Sequence, residues 1–172
     1  MKKLISMLLV LVMCTLALTS CGGVNGSPEA VVEAAMGLME DPDVKTLKNL
    51  LPEVAWETLY DEADMDEDEF WEDVEDSFEE AKEMMEDYEG YKFSFEIDEV
   101  DDMKRSEVKD LNEELEDFLD DDIEEAAVVT VEVAFSFEFD GEEIDEESEM
   151  EFTVFKYDGD WYLVPGDLST FW

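Results

Sequence analysis

The thiol of Cys21 is the side chain whose surroundings spell out a reaction. It follows Leu18-Thr19-Ser20, the end of an apolar stretch that opens Met1-Lys2-Lys3. Two lysines give a positive start, and Leu4 to Ala17 is a hydrophobic run broken only by Ser6 and Thr15. Small residues at Thr19 and Ser20 let a peptidase reach the backbone, as in a secretory signal. With cysteine next, the pattern is a lipobox. The sulfur takes a diacylglyceryl group, the bond before Cys21 is cut, and an acyl chain such as palmitate completes the new terminus. A run of about 15 apolar residues falls short of the roughly 20 that a spanning helix needs.

A second set of side chains points to a hard cation. Asp64, Asp66, Asp68 and Glu75 fall at positions 1, 3, 5 and 12 of an EF-hand-like spacing, with the last acid placed to bind through both oxygens. Glu69 stands where that loop needs glycine for its sharp turn, and the helical pattern from Phe70 onward would splay the ligands around an axis. The four acids are therefore a candidate metal site, set against loose binding of divalent ions across a carboxylate surface.

Other chemistries are closed by composition. The chain has no histidine, so neither Ser-His nor Cys-His nucleophile pairs can form. Its two cysteines are Cys14, which leaves with the signal, and Cys21, which carries lipid, so no disulfide is expected. General acid–base work needs two carboxyls held at different pKa values, and among 53 acids no spacing singles out such a pair. No cofactor is implied. Loss of Lys2 and Lys3 moves the formal charge from −43 to −45, which excludes nucleic acid as a partner because phosphates would be repelled. A hydrophobic content of 45% and four tryptophans argue for a folded domain rather than disorder.

These side chains need elements to position them. Residues 1–20 are read as a cleaved lipoprotein signal peptide and 21–27 as the lipidated cysteine with a flexible linker. Residues 28–172 are a single domain, of a size that can bury its own core. Ser27-Pro28-Glu29 starts a helix with a cap, a first-turn proline and an acid. Asp41-Pro42-Asp43 breaks it. A short helix carries Val44, Leu47 and Leu51, and Pro52 starts another with Trp56, Leu59 and Tyr60. Residues 61–90 hold 17 acids and one lysine, Lys82, yet Phe70, Val74, Phe78, Ala81, Met85 and Tyr88 make one apolar stripe over 66–89. Gly90 ends that helix.

The period then changes to two over Tyr91, Phe93, Phe95 and Ile97, which predicts a strand. A helix follows from Ser106 to Leu119. The longest strand runs from about Ala126 to Phe139, and Asp140-Gly141 opens a loop. Met150, Phe152 and Val154 mark the next strand, Asp158-Gly159 a tight hairpin, and Trp161 to Val164 the last. Helices first and hairpins last give an α+β class.

The lipobox, the glycine linker, the segment Ser27-Pro28-Glu29-Ala30-Val31-Val32 and the stretch from Phe155-Lys156-Tyr157 through Trp161-Tyr162-Leu163-Val164 resemble small envelope lipoproteins of the nuclear-transport-factor-2-like superfamily. The resemblance covers about residues 28–165. It implies N-terminal helices packed on a curved antiparallel sheet, cone-like, often around a pocket. Enzymes of that superfamily use an Asp–His pair or a Tyr with carboxylates; this chain has no histidine to match, and no acid matches by motif. The long acidic helix departs from the pattern.

Trp56, Trp71, Phe93, Phe95, Phe135, Phe137 and Trp161 fall on the periodic faces and are expected in the core. Phe155 and Tyr157 lie on the face opposite Met150, Phe152 and Val154, and are expected at the surface or against a partner. Glu132, Glu138, Glu149 and Glu151 put like charges on that outer face, which speaks against a sheet-to-sheet dimer and for a monomer. The reading is a non-enzymatic binding or interaction module, held to the cell membrane by lipid on Cys21 and facing away from the cytoplasm. Its partner would be a basic peptide, a protein or a small ligand. The alternatives are a cone-fold enzyme using buried carboxylates and a low-affinity divalent cation binder.

Overall fold

The helices begin where short polar side chains cap them. Ser27 accepts the Ala30 N–H at 3.2 Å and Pro28 takes the first helical position, so α1 runs Pro28–Gly37. Asp43 caps α2 (Val44–Lys48) by accepting the Thr46 hydroxyl at 2.7 Å and its N–H at 2.8 Å. Those two bonds, the hydroxyl's first, lower the Asp43 pKa. After α3 (Glu53–Ala63), Asp64 adopts a left-handed φ of 55° and closes the helix. The long acidic helix is α4 (Glu67–Asp87). The computed structural model describes residues 23–87, 89–139 and 142–170. Cys21 and the segment read as its signal, Tyr88, and Asp140-Gly141, where a loop is expected, lie outside the described residues.

Four strands form one antiparallel sheet in the order β1 (Glu89–Asp102), β2 (Glu125–Phe139), β3 (Glu142–Tyr157), β4 (Asp160–Leu163), with α5 (Arg105–Leu115) between the first two. A 3-10 turn, Pro165–Thr170, follows. The α+β order matches the expectation. The Asp158-Gly159 hairpin also forms as read, with φ of 53° and 94° at its two central residues.

Two strands are longer than their alternation suggested. In β1 the register slips between Ile97 and Glu99, so that Ile97 faces Val131 while Val100 faces Val129. A bulge of this kind interrupts the period of two, which is why the pattern stopped at Ile97. In β3 the stretch before Met150 is mostly acidic, yet it pairs with β2 back to Glu142 opposite Phe139. Backbone pairing there outweighs like-charge neighbours such as Glu132 and Glu149.

One face of the sheet carries Val129, Val131, Val133, Phe152, Val154, Trp161 and Leu163 against Val31, Val32, Ala35 and Met36 of α1, with Leu47, Leu50, Leu51 and Trp56. From α4, Trp71 and Phe78 enter the same core, while Met84 points away and is exposed. Lys82, the one lysine of that acidic stretch, pairs with Asp41 at 3.1 Å.

The opposite face is not open, and here the expectation for Phe155 is corrected. Val108, Leu111 and Leu115 of α5 pack with Ile123 and Ala126 over Phe155, whose exposure is 0%, and Tyr157 is half-buried beside them. Asn112 holds the returning chain by exchanging two bonds with the Ile123 backbone, at 2.8 and 3.0 Å. Residues 152–155 are thus sandwiched between two helical layers, and strict alternation fails where both faces are buried.

The expected flexible linker is corrected as well. Residues 23–26 form a turn closed by the Gly26 N–H on the Gly23 carbonyl at 3.0 Å, and Val24 packs on the core. The cause is Asn25. Its carbonyl accepts the Trp161 N–H at 2.9 Å, and its side-chain amide donates to the Trp161 and Asn49 carbonyls, each at 2.7 Å. With the Leu163 N–H bound to the Leu50 carbonyl at 2.9 Å, these contacts cover the outer edge of β4.

Candidate functional site

Where α3 meets α4, four aromatic rings stack into one wall. Trp56 and Tyr60 come from one turn of α3, Phe70 and Trp71 from the first turns of α4. Trp56 and Trp71 meet edge to face at 4.8 Å, and Tyr60 and Phe70 lie at 5.1 Å. The Trp71 indole N–H donates to the Tyr60 hydroxyl at 2.7 Å, and that of Trp56 donates to the Lys48 carbonyl at 3.0 Å. Both tryptophans are therefore fixed at their polar ends as well as by packing.

Three of these rings, Trp56, Tyr60 and Trp71, line a cleft of about 460 Å³ together with Asp160 and Tyr162 of β4, Asn25 and Asn49. Four carboxylates line it, Glu53, Glu57, Glu67 and Asp160, against one ammonium, Lys48. Lys48 stands 4.4 Å from the centre of the Trp71 ring and 3.9 Å from Glu67. An ammonium over an indole face with a carboxylate beside it is a cation–π arrangement completed by an ion pair. Burial pushes the Tyr60 hydroxyl pKa up, and the charges of Glu67, Glu53 and Glu57 push it further against the Trp71 hydrogen bond. Tyr162 is raised in the same way, by burial and then by Asp160 and Asp158. The cleft is apolar on one wall, negative around its rim and stocked with hydrogen-bond acceptors. Such a surface suits a cation.

Two other hollows lack that combination. One lies along α5 between Arg105, Lys109 and Glu124; the other lies on the outer sheet face among Glu96, Glu132, Glu147 and Glu149. Neither has an aromatic wall of packed rings.

The sequence candidates fare differently. Trp56 and Trp71 are buried as expected and line the cleft through their remaining edges. Phe93, Phe95, Phe135 and Phe137 are half-buried on the inner sheet face, and Trp161 is buried under the Asn25 contact. The four acids read as a cation loop are not brought together. Asp64 closes α3, while Asp66 caps α4 through the Glu69 N–H at 3.0 Å. Asp68 and Glu75 project from α4 two turns apart, about 10 Å along its axis. Among the described residues no three acids are grouped to hold a metal ion.

Asn25 and Lys48 were missed. Asn25 sits among glycines, where composition says linker, and Lys48 has no periodic partner in sequence. The one available signal was Trp56 and Trp71 flanking a short turn between two helices. Among the described residues no helix is long and apolar enough to cross a membrane. Compared with protein families, curated proteins and solved structures, the chain matches none.

Proposed function

We propose that this chain is a lipid-anchored extracytoplasmic domain that binds a cationic partner, a lysine- or arginine-bearing peptide segment, in the cleft between α3, α4 and β4. The observation that carries the binding site is Lys48, whose ammonium already rests on Trp71 beside Glu67. The cleft thus accepts a positive charge from its own chain, and a partner's lysine or arginine would meet Glu53, Glu57 and Asp160 next to it. The anchor rests on the lipobox ending at Cys21.

Binding without catalysis is favoured by the interior. Among the described residues the buried ones are all apolar, and no buried side-chain nitrogen or oxygen lacks a partner. Asp167, set among them at the surface of the core, is committed to the Thr153 N–H at 2.7 Å. The cone shape belongs to the same proposal. It is supported by helices preceding the sheet and by their packing on its inner face.

The test is a tryptophan-fluorescence titration of the processed protein, extracted in detergent, with an oligolysine peptide. Saturable binding is expected, weakened several-fold by Glu57→Gln with Glu67→Gln and tightened by Lys48→Ala, which frees the Trp71 face. The control pair Glu147→Gln with Glu149→Gln removes as much charge from the distal strand. Equal weakening by both pairs would reduce the binding to general charge and overturn the assignment of the cleft.

A further inference from the structure

We infer that the β4 edge around Asn25 is the membrane-facing end of the domain, seated at the lipid headgroups, and that the β2–β3 hairpin is its outward end. The inference rests on the lipid-anchor reading of Cys21. It follows from where the chain after Cys21 is held against the body. Asn25 is bonded to Trp161 and Asn49, Val24 is packed on the core, and Gly23 closes the turn. Cys21 is two residues from Gly23, so its sulfur is confined within about 10 Å of that point, from a reach of about 3.5 Å per residue plus its own side chain. A lipid at that sulfur brings the Asn25 end of the body to the bilayer surface.

Charge selects the same end. Asn49, which accepts from Asn25, donates to the Lys45 carbonyl at 2.9 Å, so the helix bearing Lys45 and Lys48 lies directly beside the tether. At the far end, residues 132–151 hold ten acids and no basic residue. Trp161 pairs with Lys156, and Glu147 lies nine residues further along β3, about 30 Å away at the rise of a strand. Anionic headgroups repel that end more strongly than the Asn25 end, where Lys45 and Lys48 offset part of the charge of Glu53, Glu57, Glu67 and Asp160. The aromatic cleft, which shares Asn25 and Asn49 with the tether site, therefore opens close to the headgroup layer.

The test places a fluorophore at Lys45→Cys or at Glu147→Cys in the full, processed chain, reconstituted in vesicles holding headgroup-quencher lipids. Processing leaves no other free thiol if Cys21 carries lipid, so labelling is specific. Both positions are exposed. Strong quenching at 45 and little at 147 is expected, with Asn25→Ala levelling the two while the protein stays bound. A glycine–serine spacer inserted between Gly22 and Gly23, which leaves the Asn25 contacts intact, should lower the quenching at 45. Equal quenching at both positions in the membrane-bound parent would overturn the inference and leave the anchor standing. A chain that does not enter the membrane fraction, with an unmodified Cys21 thiol, would overturn the anchor and the inference together.

Discussion

Asn25 and Trp161 pair as neighbouring strand residues do, although 136 positions separate them. The Trp161 N–H donates to the Asn25 carbonyl at 2.9 Å, and the Asn25 side-chain amide returns a bond to the Trp161 carbonyl at 2.7 Å. One asparagine thus converts a glycine-rich stretch into the cover of a sheet edge and fixes residues 23–26 against the body.

Asn25→Ala removes two side-chain bonds, to Trp161 and Asn49, and should cost about 1–3 kcal/mol of stability. Urea unfolding of the variant reads this directly. A variant as stable as its parent would mean that residues 23–26 are not part of the fold.

Phe155→Ala should cost about 3–5 kcal/mol, as much as Phe152→Ala on the opposite face, because each ring is fully buried. A loss below about 1 kcal/mol at Phe155 would show that α5 does not dock there.

What the sequence disclosed and what it hid divide along a physical line. Ser27, Asp158-Gly159 and the Phe70–Phe78 stripe act within a turn or two of chain, so their roles are legible locally. Phe155 was misplaced because its burial depends on α5, whose apolar stripe was visible but whose docking site was not. The bulge after Ile97 shifts the period of two, and nothing local in the chain announces it. Asn25 looked like linker because its partners come from Asn49 and Trp161, distant in the chain. The Asp64–Glu75 spacing looked like a loop because helix capping by Asp66 and a metal loop draw on the same residue types. In the cleft, the tryptophans were legible and the cation resting on them was not.

Asp167 gives a pH-dependent comparison. Burial raises its pKa above 3.8 and the Thr153 N–H opposes this, with burial the larger effect. A carboxyl that holds its proton more tightly when folded contributes stability that is full below pH 3.8 and lost as pH rises through the folded pKa. Asp167→Asn keeps an acceptor for Thr153 without the charge. The variant should be more stable than its parent at neutral pH, with the difference shrinking as the pH falls through the folded pKa and gone below 3.8. A variant that is less stable at neutral pH would show that the bond to the charged form dominates.

Like charges one turn apart line α4: Glu69 with Asp73, Glu72 with Asp76, Glu79 with Glu83. Each such exposed pair costs about 0.2–0.5 kcal/mol. Salt screens them, so the melting temperature should rise between low and high ionic strength, and millimolar Ca²⁺ should act in the same direction. Melts that do not move with salt would mean that the helix is held without significant self-repulsion.

The lipid anchor is tested most directly by the mass of the mature N-terminus, measured on protein expressed from the full chain and extracted from membranes. A polypeptide beginning at Cys21 and carrying a diacylglyceryl thioether is expected, and Cys21→Ser should abolish both the lipid and the cut before residue 21. A chain that keeps residues 1–20, or that begins elsewhere with an unmodified cysteine, would contradict it.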